Sequence, residues 1–141
     1  MLWSIDPGKG VRQLWKHRGD FSPQFAWDVD PYGRGVIVSS AEGLMRLDDE
    51  GKPQRIEGAS AAVTGAVREI RSAPFLRSAF LNTAHGWRVL DEDGAVRRIK
   101  DFDEIPRKEI NVLKEPGRVM VFGGDRVSEL VRNENGRVCP P

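Results

Sequence analysis

The chain has little cysteine and no excess of charge of one sign. Cys139 is the only cysteine among 141 residues, which excludes an internal disulfide framework and the usual cysteine-rich zinc sites. Lys and Arg number 22 against 21 Asp and Glu, so the net charge is only +1. A nucleic-acid or membrane-surface protein is expected to carry a basic excess. We therefore expect no nucleic-acid partner and no membrane contact from this segment. We also expect no cofactor, because the sequence contains no recognisable cofactor motif.

Long apolar runs are also missing. No run approaches the roughly 18 residues that a membrane helix needs. The start of the chain, MLWSIDPGKG, lacks a basic region followed by an apolar stretch, so no signal peptide is predicted. The hydrophobic content of 39% is enough for a core, and the length suits a single domain spanning residues 1–141.

A repeated pattern organises the sequence. Residues 35–56 read GVIVSSAEGLMRLDDEGKPQRI, which predicts strands at 36–39, 44–47 and 54–56 separated by a turn at Glu42-Gly43 and a hairpin at 48–51. The pattern recurs from residue 78 and, more loosely, from residue 118, at offsets of 43 (78 − 35) and 83 (118 − 35). An ungapped comparison of 26–56 with 69–99 gives nine identities: Pro31/Pro74, Arg34/Arg77, Ala41/Ala84, Gly43/Gly86, Leu47/Leu90, Asp48/Asp91, Gly51/Gly94, Arg55/Arg98 and Ile56/Ile99.

Each repeat unit is predicted to hold four strands. The units cover about 25–57, 67–100 and 109–139, joined by loops at 16–24, 57–66 and 100–108. For 57–66 a short helix is the competing prediction, which Gly58 and Gly65 make less favourable. Two strands at the start, Leu2–Ile5 and Val11–Trp15, resemble only half a unit, residues 1–15. A period of about 40 residues with four short strands is typical of a β-propeller. The sequence thus predicts an all-β chain of about three and a half propeller-type blades, either a partial propeller or one that completes itself by oligomerising.

The middle strand of each unit is apolar on both faces, as Val36, Ile37 and Val38 illustrate. Phe80-Leu81 and the run from Val119 to Phe122 repeat this character. Apolar residues at successive positions are typical of a strand that is covered on both faces, as expected for sheets stacked between neighbours. End sheets would then leave apolar faces open. The expected partners are therefore the remaining blades of a longer chain or another copy of this one.

The first unit resembles the repeat of the two-component-regulator propellers of bacterial sensor proteins. The positions that carry the resemblance are Asp30, Gly33, Val36 to Val38, Gly43, Leu44, Arg46, Leu47, Asp48, Gly51 and Lys52. Two features depart from that repeat. Val-Ile-Val-Ser stands where Trp-Ile-Gly-Thr is usual, and the third unit has Arg126-Val127 in place of Gly-Leu. The resemblance implies a non-enzymatic ligand-sensing or protein-interaction module of a larger bacterial sensor, and a periplasmic location. Without the resemblance, a cytoplasmic location is expected.

Acidic clusters precede a glycine in every unit: Asp48-Asp49-Glu50, Asp91-Glu92-Asp93 and Asn133-Glu134-Asn135. Paired carboxylates could serve acid–base chemistry or calcium binding, but Asp, Asn and Gly are also the residues that tight hairpins require. We interpret the clusters as turns. His17 and His85 lie far apart and read as loop residues, and we assign no catalytic residue. Four tryptophans, Trp3, Trp15, Trp27 and Trp87, could stack on planar ligands or wedge between sheets.

A tentative binding face lies at the turns between the second and third strands of each unit. Equivalent positions in these turns carry Glu42, His85 and Asp125. Strand spacing places adjacent copies on the order of 10 Å apart, too far to share a metal whose ligands must lie within about 2–2.5 Å. We expect these residues to rim one face, opposite the hairpins at 48–51 and 91–94. Trp87, Arg126 and the three loops should lie beside them.

Two other functional classes stay open. One is a fragment of a propeller-fold carbohydrate-active enzyme, a lyase or glycoside hydrolase, which would need carboxylates or a histidine converging on one pocket. The other is a self-assembling structural module. The sequence does not identify a ligand for any of the three classes.

Overall fold

The computed structural model describes residues 2–6, 10–15, 26–48, 50–105 and 107–141, the first two ranges by their backbone alone. The strands are β1 Leu2–Asp6, β2 Gly10–Trp15, β3 Trp27–Val29, β4 Val36–Ser40, β5 Gly43–Leu47, β6 Pro53–Ser60, β7 Val67–Ala73, β8 Ser78–Thr83, β9 Gly86–Leu90, β10 Val96–Arg98, β11 Glu109–Leu113, β12 Arg118–Gly123, β13 Arg126–Arg132 and β14 Val138–Cys139. One helical turn, α1, spans Ala61–Thr64, and a 3-10 turn spans Pro74–Leu76.

The strands form three four-stranded sheets and one two-stranded pair. The first sheet has the order β3-β4-β5-β6, the second β7-β8-β9-β10 and the third β11-β12-β13-β14, while β1 pairs with β2. All these pairings are antiparallel and join strands that follow one another in the chain. The prediction of an all-β chain of four-stranded antiparallel units is confirmed. Among the described strands, no sheet closes on itself.

One hairpin turn recurs in all three sheets. The first residue of the turn accepts a backbone hydrogen bond from a glycine three positions on, at 2.9 Å for Gly51 and Gly136 and 3.0 Å for Gly94. These glycines have φ between +73° and +85°, where a side chain would be strained. Side-chain oxygens of Asp48 and Asn133 also accept backbone N–H groups two and four residues on. The interpretation of the acidic clusters as turns is confirmed.

The second sheet is packed between the other two. One core cluster joins its Ala79 and Leu81 to Ile37 and Leu44 of the first sheet. A second cluster joins Phe80 and neighbouring side chains of the second sheet to the third sheet. Successive residues of β8 point to opposite faces because the side-chain period of a strand is two. The double apolar character of this strand therefore reflects burial on both sides, as the sequence predicted.

The three sheets also meet along their first strands. β7 lies against β3 on one side and against β11 on the other. A carboxylate oxygen of Asp28, on β3, accepts the backbone N–H of Ser72, on β7, at 2.8 Å. The first strands of the three sheets are thus neighbours along one edge of the stack.

The segment 57–66, predicted as a loop, is mostly regular. β6 continues to Ser60, and α1 follows directly. Gly58 permits this extension because a Cβ at that position would lie 2.3 Å from the carbonyl oxygen of Gly94 in the next sheet. The small residues of this segment suggested a flexible loop. One of them, Gly58, instead lets the backbone of β6 pack closely against the backbone at Gly94. The predicted loop at 16–24, together with His17, lies outside the described residues.

Candidate functional site

The turns β4–β5 and β8–β9 lie at the same end of the stack, which we call the turn end. α1 connects them. The N–H of Ala61 donates to the carbonyl of Glu42 at 3.0 Å, and a Cβ at Gly65 would lie 2.9 Å from the Cβ of Ala84. The short helix therefore spans from the turn that carries Glu42 to the turn that carries His85.

The third turn, Gly124-Asp125, follows β12 at the same end. The contacts of Arg132 show which end of the third sheet this is. Arg132 adjoins the β13–β14 hairpin and donates hydrogen bonds to the carbonyls of Leu76 and Arg77. Those carbonyls follow β7 at the end of the second sheet remote from His85, because Ala73 pairs with Ser78 there. We call this the hairpin end. Asp125 is at the other end of its sheet, on the side of His85 and Glu42.

The first two turns share one backbone conformation and differ in the residue they display. The hydroxyl of Ser40 donates to the carbonyl of Gly43 at 2.9 Å and accepts the N–H of Glu42. Thr83 repeats both bonds, donating to Gly86 at 2.7 Å and accepting the N–H of His85. Gly123 replaces the hydroxyl residue in the third sheet. In these two turns the hydroxyl side chain stabilises the backbone, so the exposed residue two positions later can differ without changing the turn.

The five predicted rim residues do not all face solvent. Glu42 is exposed and pairs with the exposed Arg55 at 2.5 Å, an interaction that screening by water keeps weak. His85, Asp125 and Arg126 are exposed in the turns. Trp87 is buried instead.

Trp87 belongs to the core because it pairs with Asn82 on the face of β8 and β9 that meets the third sheet. The prediction that it lies beside the rim as a contact residue is therefore corrected. Sequence alone does not separate this tryptophan from exposed Trp27, since the difference comes from the position of each sheet in the stack.

The segment 100–108 lies at the turn end, where β10 ends and β11 begins. Phe102 and Ile105 are buried in the cluster between the second and third sheets. The ammonium of Lys108 donates to the carbonyl of Phe102 at 3.0 Å and to the carboxylate of Asp103 at 3.2 Å. The bond from Lys108 and its positive charge lower the pKa of Asp103. This segment closes the core beneath the turn end.

The hairpin end holds a cleft of about 500 Å³ between the second and third sheets. Its lining includes Arg77, Arg97, Arg132 and Arg137 with the acidic hairpin 91–93. Arg77 pairs with Glu92, and Arg97 pairs with Asp91 and Asp93. Arg132 also donates to the hydroxyl of Ser78 at 2.7 Å. Sequence reasoning missed this cleft because the Arg77–Glu92 pair and the Arg132–Ser78 bond join residues from different hairpins.

Tyr32 links the first and second sheets at the same end. Its hydroxyl donates to the carbonyl of Leu90 at 3.0 Å, and the guanidinium groups of Arg34 and Arg77 lie 5.2 and 5.6 Å from its ring centre. Burial, and secondarily the negative charge of Asp91, raises the pKa of the Tyr32 hydroxyl well above its usual range. Tyr32 lies within the turn that begins at Asp30.

The carboxylate of Asp30 is fully buried and accepts hydrogen bonds from Arg46 and from the N–H groups of Tyr32 and Arg34. Asp30 thus ties the turn between β3 and β4 to Arg46 of β5.

Within the described ranges, no group of three His, Cys, Asp or Glu residues is arranged to hold a metal ion. No helix among these residues is long and apolar enough to cross a membrane. No protein-family model matches the chain, and searches among curated proteins and among solved structures also find no match.

Proposed function

We propose that the three sheets are blades of a β-propeller and that the chain is a non-enzymatic ligand-sensing or protein-interaction module. Its binding face is the turn end. Two observations support the propeller arrangement. The first strands β3, β7 and β11 adjoin one another along one edge, and each sheet packs on the next through equivalent faces.

The observation that carries the binding role is the constant turn with a variable residue. Ser40 and Thr83 hold two turns in the same shape, while the displayed side chain changes from Glu42 to His85. A scaffold that keeps its backbone and varies its exposed polar groups is suited to recognition. Asp125 and Arg126 add charged groups of both signs at the same end, and neither makes an ion pair within the described residues.

The propeller-fold enzyme receives less support from the geometry. Asp48 is bound to turn N–H groups, and Asp91 is paired with Arg97. These contacts give the hairpin carboxylates structural roles, whereas catalysis requires carboxylates that are directed at a substrate.

A ligand screen with matched variants tests the proposal. The purified chain is scanned by thermal shift against a panel of mono- and disaccharides, amino acids and dicarboxylates. We expect at least one compound class to raise the melting temperature. The double variant Asp125→Ala/Arg126→Ala should lose that shift, and His85→Ala should weaken it.

The control lies at the opposite end of the same sheet. Glu134→Ala/Arg137→Ala also removes one exposed acid and one exposed base, and it should keep the ligand-induced shift. Loss of the shift in this control alone would place binding in the hairpin-end cleft and contradict the proposal. A panel that stabilises nothing would contradict ligand sensing.

A further inference from the structure

The two outer faces of the stack, on the first and third sheets, expose positions whose counterparts in the other sheets are buried. The repeat makes this comparison possible, because each position of one sheet has counterparts at offsets of 43 and 83. A position that is covered in two sheets and open in the third identifies the surface where the stack stops.

At the far face of the third sheet the exposed position is Val127. Its counterparts Leu44 and Trp87 are 0% and 6% exposed, because each packs against the sheet that follows. Val127 itself is 60% exposed. It pairs across the strands with Phe122, which is also exposed, so the two form one apolar patch. We call this patch the tail.

At the near face of the first sheet the exposed position is Trp27. Its counterparts Ile70 and Ile110 are 6% and 0% exposed, because each packs against the sheet that precedes. Trp27 is 54% exposed, and Val29 beside it is also open. The same face is closed over β4 and β5, where Val38 and Leu47 are buried, so the open part is the first strand, β3. We call this part the head.

We propose that the tail of one copy of the chain packs against the head of a second copy. The occupant follows from the interfaces within the chain. Tail-type residues cover head-type residues twice inside the stack, where Leu44 and Trp87 share core clusters with Ile70 and Ile110. The exposed tail and the open part of the head at β3 are the portions of that same interface that stay uncovered on the two outer sheets. A second copy supplies both portions, and two copies related by a two-fold axis use all four.

The chemistry of the two surfaces agrees with this pairing. Exposed Phe, Val and Trp side chains lose contact with water when the patches meet, which favours association through the hydrophobic effect. Aromatic residues are also enriched at such interfaces. This inference rests on the propeller-type stacking proposed above and is independent of the turn end as a binding face.

Sedimentation velocity over a concentration series tests the proposal. The wild-type chain should associate reversibly at micromolar concentrations, and Val127→Arg should shift the association at least tenfold toward monomer. Val63→Arg is the matched control, because Val63 is a similarly exposed valine in α1 and away from both patches. Circular dichroism verifies that each variant keeps its β structure.

A mixing experiment separates head-to-tail pairing from a face-to-face dimer. Trp27→Arg disables the head, and Val127→Arg disables the tail. Each variant alone should be monomeric, but a mixture keeps one intact interface and should recover association. Recovery supports the proposal. Failure to recover when both variants are folded overturns it. Association of Trp27→Arg by itself also overturns it, since tail-to-tail pairing predicts that result.

Two further outcomes would also overturn it. One is a wild-type chain that stays monomeric at all concentrations, which would leave the two patches to further sheets of a longer chain. The other is equal dissociation by Val63→Arg. Because all these readouts are hydrodynamic, a negative result here leaves the ligand screen unaffected, and the two proposals can fail separately.

Discussion

A few residues hold the sheets in register through contacts that cross from one sheet to the next. Tyr32 reaches the carbonyl of Leu90, and Arg132 reaches the carbonyls of Leu76 and Arg77. Such contacts satisfy backbone acceptors that would otherwise rely on water. The hairpin end is therefore joined by side chains, whereas the turn end is joined by α1.

Tyr32 offers a spectroscopic probe because it is the only tyrosine in the chain. Its raised pKa means that the folded state disfavours the phenolate, so the hydroxyl should ionise well above the usual tyrosine pKa of about 10. An ultraviolet titration of the folded chain checks this, with the denatured chain as the reference. Coincident folded and denatured midpoints would contradict the buried, hydrogen-bonded position of this hydroxyl.

The same residue makes stability depend on pH in a defined window. The unfolded hydroxyl ionises near pH 10, while the folded one ionises higher, so the stabilising contribution is complete below pH 10 and is lost as pH rises from there through the folded pKa. Tyr32→Phe should cost about 1 kcal/mol at neutral pH through the lost hydrogen bond. The difference between wild type and variant should shrink above pH 10.

At the scale of strands and turns, the close approach of β6 to the next hairpin sets the distance between the first and second sheets. Gly58→Ala adds a Cβ that would lie 2.3 Å from the carbonyl oxygen of Gly94 and 3.0 Å from the Cα of Ala95. These are backbone atoms, so the sheets must move apart. We expect a loss of roughly 1–3 kcal/mol in the free energy of unfolding, measured with denaturant.

Gly33→Ala is the control for that measurement. A Cβ at Gly33 meets no atom within 4 Å, but its φ of +76° strains any side chain, which costs about 1–2 kcal/mol. The Gly33 variant should therefore lose stability without disturbing the sheets. Unchanged chemical shifts across the β9–β10 hairpin in Gly58→Ala would show that the sheets had not moved and would contradict the steric argument.

The sequence predicted strands and turns well because both depend on local signals. Alternating or doubly apolar runs indicate strands, and Asp or Asn followed by Gly indicates hairpins. It did not predict β6 beyond Ile56, the burial of Trp87 or the Arg132 contacts. Those features depend on residues brought close only by the stacking of sheets. Arg132 and Leu76, for example, are 56 positions apart in the chain.

For the whole molecule, the sheets differ in how many of their faces are buried. Their backbone amides should therefore differ in protection from hydrogen exchange. β8 is hydrogen-bonded on both edges and buried on both faces, whereas β12 is bonded on both edges but open on one face. In dilute solution, amides of β8 should exchange roughly ten times more slowly than those of β12, because opening β8 disrupts both core clusters. Hydrogen exchange followed by nuclear magnetic resonance measures both strands at once.

A concentration series adds a second comparison to that experiment. If copies pair through the tail, protection of β12 should rise with protein concentration while β8 stays constant. Faster exchange in β8 than in β12 under dilute conditions would contradict the packing of the second sheet between its neighbours.

Because each sheet presents one face to the sheet before it and the opposite face to the sheet after it, the stack has no built-in length. A gene segment that encodes one unit could be duplicated in tandem, and the new sheet would inherit a surface that fits its neighbour and expose a copy of the surface it had just covered. The molecule can thus grow by whole units without redesign of those already present. If the sheets are blades of a ring, as proposed above, the angle between neighbouring sheets sets the number of units, since only a particular count brings the last sheet round to the first.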